Sequence, residues 1–205
     1  GSIASKITIP NSKSFCNRAL ILAARTPGPV TVYGVPESTD VQNLLTLYRE
    51  IGLELKQVGT NVTVENCFPE CEPISSKMVE LDLGDGGTTA RFFIALLSLG
   101  GGLYKLTAQQ RMKTRPMKEL YASLSEMSVR VEQEGDDSFP VIIKGPAFPT
   151  DVIKVDSERS TQFASALMLA YGSEKVQENN QKGSRTYLNL TKKLVQEYEA
   201  GKKEY

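Results

Sequence analysis

Three short segments of the sequence place a basic residue beside small or hydroxyl residues, at the entry to a long apolar run. Lys13 and Arg18 do so at the first run, Arg91 at the second and Arg159 at the third. The first backbone N–H groups of a helix have no partner within the helix, so a helix that starts at such a segment can bind an anion. Guanidinium groups bind carboxylate and phosphate through paired hydrogen bonds. The segments therefore predict a site for a small molecule that carries carboxylate and phosphate groups.

The three segments recur at a nearly constant interval. Ser14, Thr88 and Thr161 occupy equivalent positions in them and lie 74 and 73 residues apart. Such self-similarity indicates an internal structural repeat. Apolar residues at helical spacing predict a second, amphipathic helix in each repeat, closely in the first two and more loosely in the third. These residues are Val41, Leu44, Leu45, Tyr48 and Ile51; Met117, Leu120, Tyr121, Leu124 and Met127; and Leu190, Leu194, Val195 and Tyr198.

Strands are predicted where apolar and polar residues alternate after the amphipathic helices. The first repeat has such stretches at 53–58 and 62–64, and the second at 129–132 and 141–144. Period-two alternation is typical of strands with one face buried. Each repeat is therefore expected to run as strand, apolar helix, strand, amphipathic helix, strand and strand.

The order of these elements predicts an α+β fold of three pseudo-symmetric βαβαββ units. Their expected boundaries are about residues 6–67, 78–145 and 152–205. The nearly all-apolar first helices are expected to pack together at the centre. A chain of 205 residues with 40% hydrophobic content can bury such a core, and no linker-like stretch divides it, so residues 1–205 are expected to form one domain.

Charge and hydropathy exclude several classes of partner. The 24 basic residues balance the 24 acidic residues, so no net field attracts nucleic acid. No apolar run is long enough to cross a bilayer, so a membrane partner is not expected. No charged segment followed by an apolar one resembles a secretion signal, and a cytoplasmic location is expected.

The residue inventory also limits the chemistry. The sequence contains no histidine, which excludes Ser-His-Asp and Cys-His triads. Proton transfer must therefore use Lys, Asp, Glu or water. Cys16, Cys67 and Cys71 show no spacing typical of a metal site or a disulfide framework. We expect neither a metal ion nor another cofactor.

Several ordered motifs resemble those of one enzyme family. The run Ser12-Lys13-Ser14-x-x-Asn17-Arg18 resembles the opening signature of the 5-enolpyruvylshikimate-3-phosphate (EPSP) synthases. Residues 84–91 resemble the glycine-rich second signature of that family, and residues 111–116 its Arg-Met-x-x-Arg-Pro segment. The triplet Ser160-Thr161-Gln162 is similar to its Ser-Ser-Gln segment, and residues 184–187 to a later one. The resemblance extends over most of the chain.

The resemblance implies a fold and a reaction. Members of the family consist of two similar domains, each with three βαβαββ units, and their active site lies between the domains. The present chain matches one domain. The family transfers the enolpyruvyl group of phosphoenolpyruvate to shikimate 3-phosphate and releases phosphate. The implied partners are therefore these two substrates and the second domain, which brings further acidic and basic catalytic groups. The chain alone is expected not to turn over.

The resemblance also assigns roles to individual residues. Lys13 is expected to be catalytic, in contact with phosphoenolpyruvate and the attacking hydroxyl. The remaining residues assigned to phosphoenolpyruvate are Gly87, Arg91 and Arg115. The residues assigned to shikimate 3-phosphate are Ser14, Arg18, Ser160, Thr161, Gln162, Ser184 and Tyr187.

Ordinary structural interpretations of the same residues stay open at this point. Serine and threonine often do no more than cap a helix. Arginine within an apolar helix must pair with a carboxylate or face a ligand cleft, since an unpaired buried charge is costly. Arg18 and Arg91 fit both interpretations equally well before the resemblance is considered. Arg111 is expected to be solvated and structural.

Some positions differ from the family pattern. Cys16 and Thr161 each replace a serine, Phe92 replaces a proline, and Asp85-Gly86 replaces Asn-Ala. A carboxylate near a phosphate site repels the ligand unless it is paired, so Asp85 predicts an altered affinity for phosphoenolpyruvate and for compounds that compete with it. The third unit is expected to be incomplete, because residues 172–183 are too polar for the usual strand and no hairpin follows the last helix.

Two alternatives to the EPSP synthase interpretation remain. A UDP-N-acetylglucosamine enolpyruvyl transferase shares the fold and the donor, but it opens with Lys-Asn and carries a loop cysteine where this chain has Gln109-Gln110-Arg111. A non-catalytic binding or structural module could keep the scaffold without the reaction. Binding of shikimate 3-phosphate distinguishes the three.

Overall fold

The computed structural model describes residues 12–205. Within the first predicted unit, three strands form one sheet. The sheet order is β1-β3-β2, and both pairs are antiparallel, with Val30 opposite Val64. The strand predicted near residue 6 lies outside the described residues. The elements of this unit are α1 (Ser12–Arg25), β1 (Val30–Val32), α2 (Thr39–Glu50), β2 (Leu55–Val58) and β3 (Asn61–Val64).

The second unit contains a four-stranded mixed sheet. Its order is β4-β5-β7-β6, in which β4 runs parallel to β5 and the other neighbours are antiparallel. A short helix, α4, is inserted before the amphipathic helix α5. The elements are β4 (Val79–Asp82), α3 (Gly87–Leu97), β5 (Leu103–Thr107), α4 (Gln110–Lys113), α5 (Lys118–Glu126), β6 (Arg130–Gln133) and β7 (Val141–Lys144).

The third unit has a strand that the sequence analysis did not expect. It consists of β8 (Ile153–Asp156), α6 (Gln162–Tyr171), β9 (Val176–Asn179) and α7 (Thr186–Glu199). The polar strand β9 pairs in parallel with β8, as β5 pairs with β4. The expectation of a missing strand between residues 172 and 183 was therefore wrong. The reason is that backbone hydrogen bonds to β8 form this strand although two of its four residues are exposed.

Residues 203–205 pair with the first unit instead of forming a hairpin after α7. The Tyr33 N–H donates to the Tyr205 carbonyl at 2.6 Å, and the Tyr205 N–H donates to the Thr31 carbonyl at 2.9 Å. Thr31 and Glu204 form a parallel bridge. The end of the described chain thus lies along β1, on the edge that β3 leaves open.

The core is built around the apolar helices α1, α3 and α6. The helices α3 and α6 pack closely along each other, and both contact α1. Their buried residues include the runs at 19–24, 92–97 and 163–170. The apolar positions predicted on and beside α2 and α5 are all buried, which confirms the amphipathic interpretation. This arrangement confirms the α+β class, and no helix within residues 12–205 has the length and apolar character needed to cross a membrane.

Candidate functional site

An open cavity of about 590 Å³ lies where four helices begin. We call it the helix-start pocket. Its walls come from the starts of α1, α3 and α6 and from the loop before α7. It includes Lys13 and every residue that the resemblance assigned to shikimate 3-phosphate. The lining residues are Lys13, Ser14, Asn17, Arg18, Thr88, Glu158, Arg159, Ser160, Thr161, Gln162, Lys182, Gly183, Ser184 and Tyr187.

The helix-start pocket concentrates positive charge. The starts of the three long helices α1, α3 and α6 carry the positive ends of the helix dipoles and give this side of the core a partial positive charge. The side chains of Lys13, Arg18, Arg159 and Lys182 add four formal charges, whereas Glu158 is the one acidic residue among those that line the pocket. A cavity with this balance favours anions.

Arg18 is a buried cation at the wall of the pocket. It is only 2% exposed. Its Nε donates to the Thr191 hydroxyl at 2.7 Å, and its Nη1 donates to the Ser14 carbonyl at 3.0 Å. The guanidinium also lies 5.1 Å from the centre of the Phe92 ring and 5.7 Å from that of Tyr187. All of these partners are uncharged.

The charge of Arg18 therefore has no counter-ion in the described part of the protein. No carboxylate among residues 12–205 forms a salt bridge with it. Burial lowers the pKa of the guanidinium to about 10, which leaves the group protonated at neutral pH. Of the two interpretations that the sequence left open, the structural salt bridge is not found for Arg18. A ligand anion can supply the missing charge.

Lys13 does have a counter-ion within the protein. Its Nζ lies 2.7 Å from Oδ2 of Asp40, in the first turn of α2. Burial by itself raises the pKa of the Asp40 carboxyl, but hydrogen bonding to Lys13 and the charge of Lys13 bring the pKa below its ordinary value. A side chain added at Gly86 would place its Cβ 2.7 Å from the Asp40 Cβ. Asp40 thus holds Lys13 close to the start of α3.

The three other predicted residues, Gly87, Arg91 and Arg115, form a second group, which we call the Gly87 cluster. A Cβ atom added at Gly87 would lie 3.3 Å from Nη2 of Arg115 and 3.5 Å from Nη1 of Arg91. These residues do not line the helix-start pocket. Gln162 joins the two regions, because it lines the pocket and its Oε1 accepts a hydrogen bond from Arg91 at 2.5 Å.

Arg91 is 4% exposed and, like Arg18, is held by neutral groups. Besides Gln162, it donates to the Pro116 carbonyl at 2.7 Å and lies 4.9 Å from the centre of the Phe163 ring. Its Nε has no hydrogen-bond partner in the described part of the chain. Burial and the nearby charge of Arg115 lower the pKa of Arg91 to about 10. Two guanidinium groups beside a glycine at a helix start make this cluster a second candidate anion site.

Several hydroxyl groups of the pocket also take part in local turns. The Ser160 hydroxyl accepts the Gln162 N–H at 3.0 Å, and Thr161 is the N-cap residue of α6. The Ser184 hydroxyl pairs with the Thr186 hydroxyl at 3.0 Å and accepts the Thr186 N–H at 3.3 Å. Ser160 and Ser184 thus have local structural contacts that orient their hydroxyls, whereas the side chain of Thr161 forms no capping hydrogen bond.

The loop before α7 is held by a buried ion pair. Arg185 donates to both carboxylate oxygens of Glu178, which lies on β9 with its side chain only 4% exposed. Burial alone raises the pKa of Glu178, but the hydrogen bonds from Arg185 lower it overall. The unexpected strand β9 therefore positions Ser184 and Tyr187 at the pocket.

Sequence reasoning missed four charged residues at or beside the pocket. Asp40 pairs with Lys13, Glu158 pairs with Lys182 at 3.0 Å, and Glu119 holds Arg159 through two hydrogen bonds at 2.5 and 2.8 Å. Of these residues, only Asp40 had a signal in the sequence, because it is an acidic residue in the first turn of a predicted helix. Nothing in the sequence indicated that Lys182 or Glu119 would lie near α6.

The positions that depart from the family pattern have separate environments. Asp85 is exposed and lies 3.8 Å from Arg111, whose side chain is 84% exposed. The Phe92 ring lies beside the guanidinium of Arg18. Cys16 is buried, and burial raises the pKa of its thiol. Residues 12–205 contain no group of three or more acidic or cysteine side chains that could hold a metal ion.

The fold and this electropositive pocket define an α+β protein with a candidate anion site at its helix starts. A sequence model of the family described as EPSP synthase (3-phosphoshikimate 1-carboxyvinyltransferase) matches residues 1–200. The chain belongs to this family.

Individual relatives agree with that assignment. The chain is 32% identical over 208 residues to a 3-phosphoshikimate 1-carboxyvinyltransferase of Shewanella baltica, and the match covers 96% of the chain and 47% of the relative. A protein of the same name from Vibrio atlanticus is 29% identical over 201 residues, with the same coverage. The chain thus spans about half the length of these curated relatives.

A solved structure shares the fold. EPSP synthase from Acinetobacter baumannii superposes with a TM-score of 0.70 at 24% sequence identity. The superposition covers 88% of this chain and 41% of that protein. The similarity thus extends to one part of a longer molecule.

Proposed function

We propose that this chain is one half of an EPSP synthase. Its helix-start pocket binds shikimate 3-phosphate, and its Gly87 cluster provides part of the phosphoenolpyruvate site. The proposal assigns Ser14 and Arg18 to the carboxylate of shikimate 3-phosphate. It assigns the phosphate to Ser160, Thr161 and Gln162, with Ser184 and Tyr187 beside them.

The observation that carries this proposal is the buried, unpaired charge of Arg18. A guanidinium that is removed from water is stable only with partners, and its partners within residues 12–205 are neutral. Its position beside an open pocket at helix starts makes a bound carboxylate or phosphate the natural counter-ion.

Lys13 is proposed as the catalytic residue of this half. Its ammonium group stands at the start of α1 and is held by Asp40, which also packs against the start of α3. From there it can stabilise negative charge on a ligand that spans the helix-start pocket and the Gly87 cluster. Gly87, Arg91 and Arg115 are proposed to hold the phosphoenolpyruvate phosphate.

The proposed enzyme needs a second half to complete the site. The helix-start pocket is open to solvent, and the chain spans about half the length of its curated relatives. We propose that the other half supplies the opposite wall and the carboxylates that transfer protons. The chain alone is then expected to bind shikimate 3-phosphate without forming product.

Titration calorimetry tests the proposal with shikimate 3-phosphate and two variants of the whole chain. The wild-type chain should bind the ligand, and Arg18→Gln should weaken binding by about 100-fold, because a charged hydrogen-bonded contact is lost. Arg130→Gln is a matched control, since Arg130 is exposed on β6 and pairs with Glu132. It should bind like the wild type.

The same titration separates the alternatives. A structural module should not bind shikimate 3-phosphate at all, which would refute the proposal. Binding of UDP-N-acetylglucosamine in its place would identify the related enolpyruvyl transferase. Equal affinities for Arg18→Gln and Arg130→Gln would remove Arg18 from the site.

A further inference from the structure

Asn17 carries a polar atom at the pocket wall that has no partner within residues 12–205. It lines the helix-start pocket and is only 2% exposed. Its Oδ1 is buried, and no donor among the described residues reaches it. Burying an amide oxygen without a donor destabilises a protein, and such groups are rare in native structures. An unsatisfied group beside an open pocket therefore points to a ligand.

The position of Asn17 on α1 places it among the proposed ligand-binding residues. Lys13 and Ser14 precede it by four and three residues, so the three side chains lie on one face of the helix. All three line the same cavity, next to Arg18. Any molecule held by Lys13, Ser14 and Arg18 therefore lies close to the amide.

The charged side chains that line the pocket are mostly donors. Its cationic side chains donate to carboxylate and phosphate, but a ligand hydroxyl must also donate its own proton. Glu158 is engaged by Lys182, and the Ser160 hydroxyl already accepts a backbone N–H. The Asn17 oxygen is buried, so a turn of the amide about its last torsion is needed to bring it to the pocket, and this turn breaks no hydrogen bond of the oxygen within residues 12–205. Unlike a carboxylate, this acceptor is neutral and does not repel an anionic ligand.

We propose that Asn17 is a specificity-determining residue that accepts a hydrogen bond from a ring hydroxyl of the bound ligand. The pocket thereby selects hydroxylated ring compounds that carry phosphate and carboxylate over anions of similar charge without hydroxyls. This inference rests on the proposed function, since it names the part of shikimate 3-phosphate that Asn17 recognises.

The test compares two ligands and two variants of the whole chain by titration calorimetry. The ligands are shikimate 3-phosphate and an analogue that lacks its two free ring hydroxyls. Asn17→Ala should bind shikimate 3-phosphate about tenfold more weakly than the wild type does, the effect of one good hydrogen bond. Its affinity for the analogue should stay within about twofold, since that contact is absent in both proteins. Asn189→Ala, the same change at an exposed position of α7, should bind both ligands like the wild type.

A second variant tests whether weaker binding comes from the changed side chain and not from a loss of the folded structure. Asn17→Asp keeps the size of the side chain and should weaken binding of both ligands, because a carboxylate at this position repels their anionic groups. Circular dichroism checks that each variant is folded. Unchanged binding in Asn17→Asp would overturn the inference, as would an equal loss for both ligands in Asn17→Ala. If the wild-type chain binds neither ligand, the proposed function itself fails.

Discussion

The two ends of helix α1 hold arginines in opposite electrostatic settings. Arg18 lies in the second turn of the helix, beside the starts of α3 and α6, where helix dipoles are positive. Arg25 lies in the last turn, where the dipole is negative, and donates to the carbonyl of Leu169 in the last turn of α6. It also lies 4.9 Å from the centre of the Tyr198 ring.

The difference separates an arginine with a structural role, Arg25, from Arg18, which we propose as a ligand-binding residue. Arg25 donates to a carbonyl that has no partner within α6, because it lies in the last turn of that helix. The hydrogen bond therefore satisfies both the guanidinium and the helix end. Arg18 has neutral partners and stands among positive helix ends, so the folded protein gains little from its charge. An anion from solution can supply the counter-ion that Arg18 lacks within residues 12–205, whereas Arg25 needs none. In our proposal the same residue type thus stabilises the fold at one end of α1 and binds the ligand at the other.

The largest expected effect is a reversal of roles between Arg18→Gln and Arg25→Gln. Arg25→Gln should lower the free energy of unfolding by about 1–2 kcal/mol, since the Leu169 carbonyl loses a charged donor. It should leave the affinity for shikimate 3-phosphate within about twofold. Arg18→Gln should do the opposite, with about a 100-fold loss of affinity and little loss of stability. Denaturant unfolding and calorimetry measure both quantities, and a similar loss of affinity in the two variants would erase the distinction.

Arg91→Gln should give an intermediate result. Arg91 donates both to Gln162 of the pocket wall and to the Pro116 carbonyl, so it supports the site and the fold together. We expect about a tenfold weaker binding of shikimate 3-phosphate and a loss of about 1 kcal/mol in stability. Arg130→Gln again serves as the matched control. A purely structural role would show as a loss of stability with unchanged affinity.

Asp40→Asn should remove a pH-dependent contribution to stability. The folded protein lowers the pKa of Asp40, so the ion pair with Lys13 stabilises above the unfolded value near 3.9 and is lost as the pH falls through the lower folded value. We expect a loss of about 0.5–1 kcal/mol at pH 7. The difference between the variant and the wild type should be smaller at pH 3 than at pH 7, and unfolding curves at the two pH values measure this. A constant difference at both pH values would assign the effect to something other than charge.

Asp85→Asn should give the smallest effect. Asp85 is exposed, and Arg111 lies 3.8 Å away, so its charge is partly balanced and well screened. Because the removed charge repels phosphate, the variant should bind phosphoenolpyruvate about two- to threefold more tightly. Calorimetry at low and high salt measures the change, which should shrink as salt is added. Unchanged affinity at low salt would refute an influence of Asp85 on this ligand.

Much of the fold could be predicted because its signals are local. The apolar periodicity that marked Tyr48 and Leu120 follows from burial of one helix face, and both residues are buried. The strand β9 was missed because its stability comes from pairing with β8, which the polar residues 176–179 do not reveal.

The same distinction between local signals and long-range contacts applies to the site. Motifs and helix starts predicted Lys13 and Arg18 at one pocket, and both line it. Asp40 and Glu119 were not predicted, because their importance depends on which residue each one faces after folding. Long-range pairs of this kind leave no trace in spacing, and a single sequence gives no other signal for them.

The contact between residues 203–205 and β1 has a consequence for the order of folding. It joins Thr31 to Glu204, which are separated by most of the chain, so it forms only after the intervening units have brought the two segments together. A ribosome must release nearly all of these residues before the first sheet gains that neighbour. The first sheet, which precedes the other two along this chain, is therefore among the last to be finished.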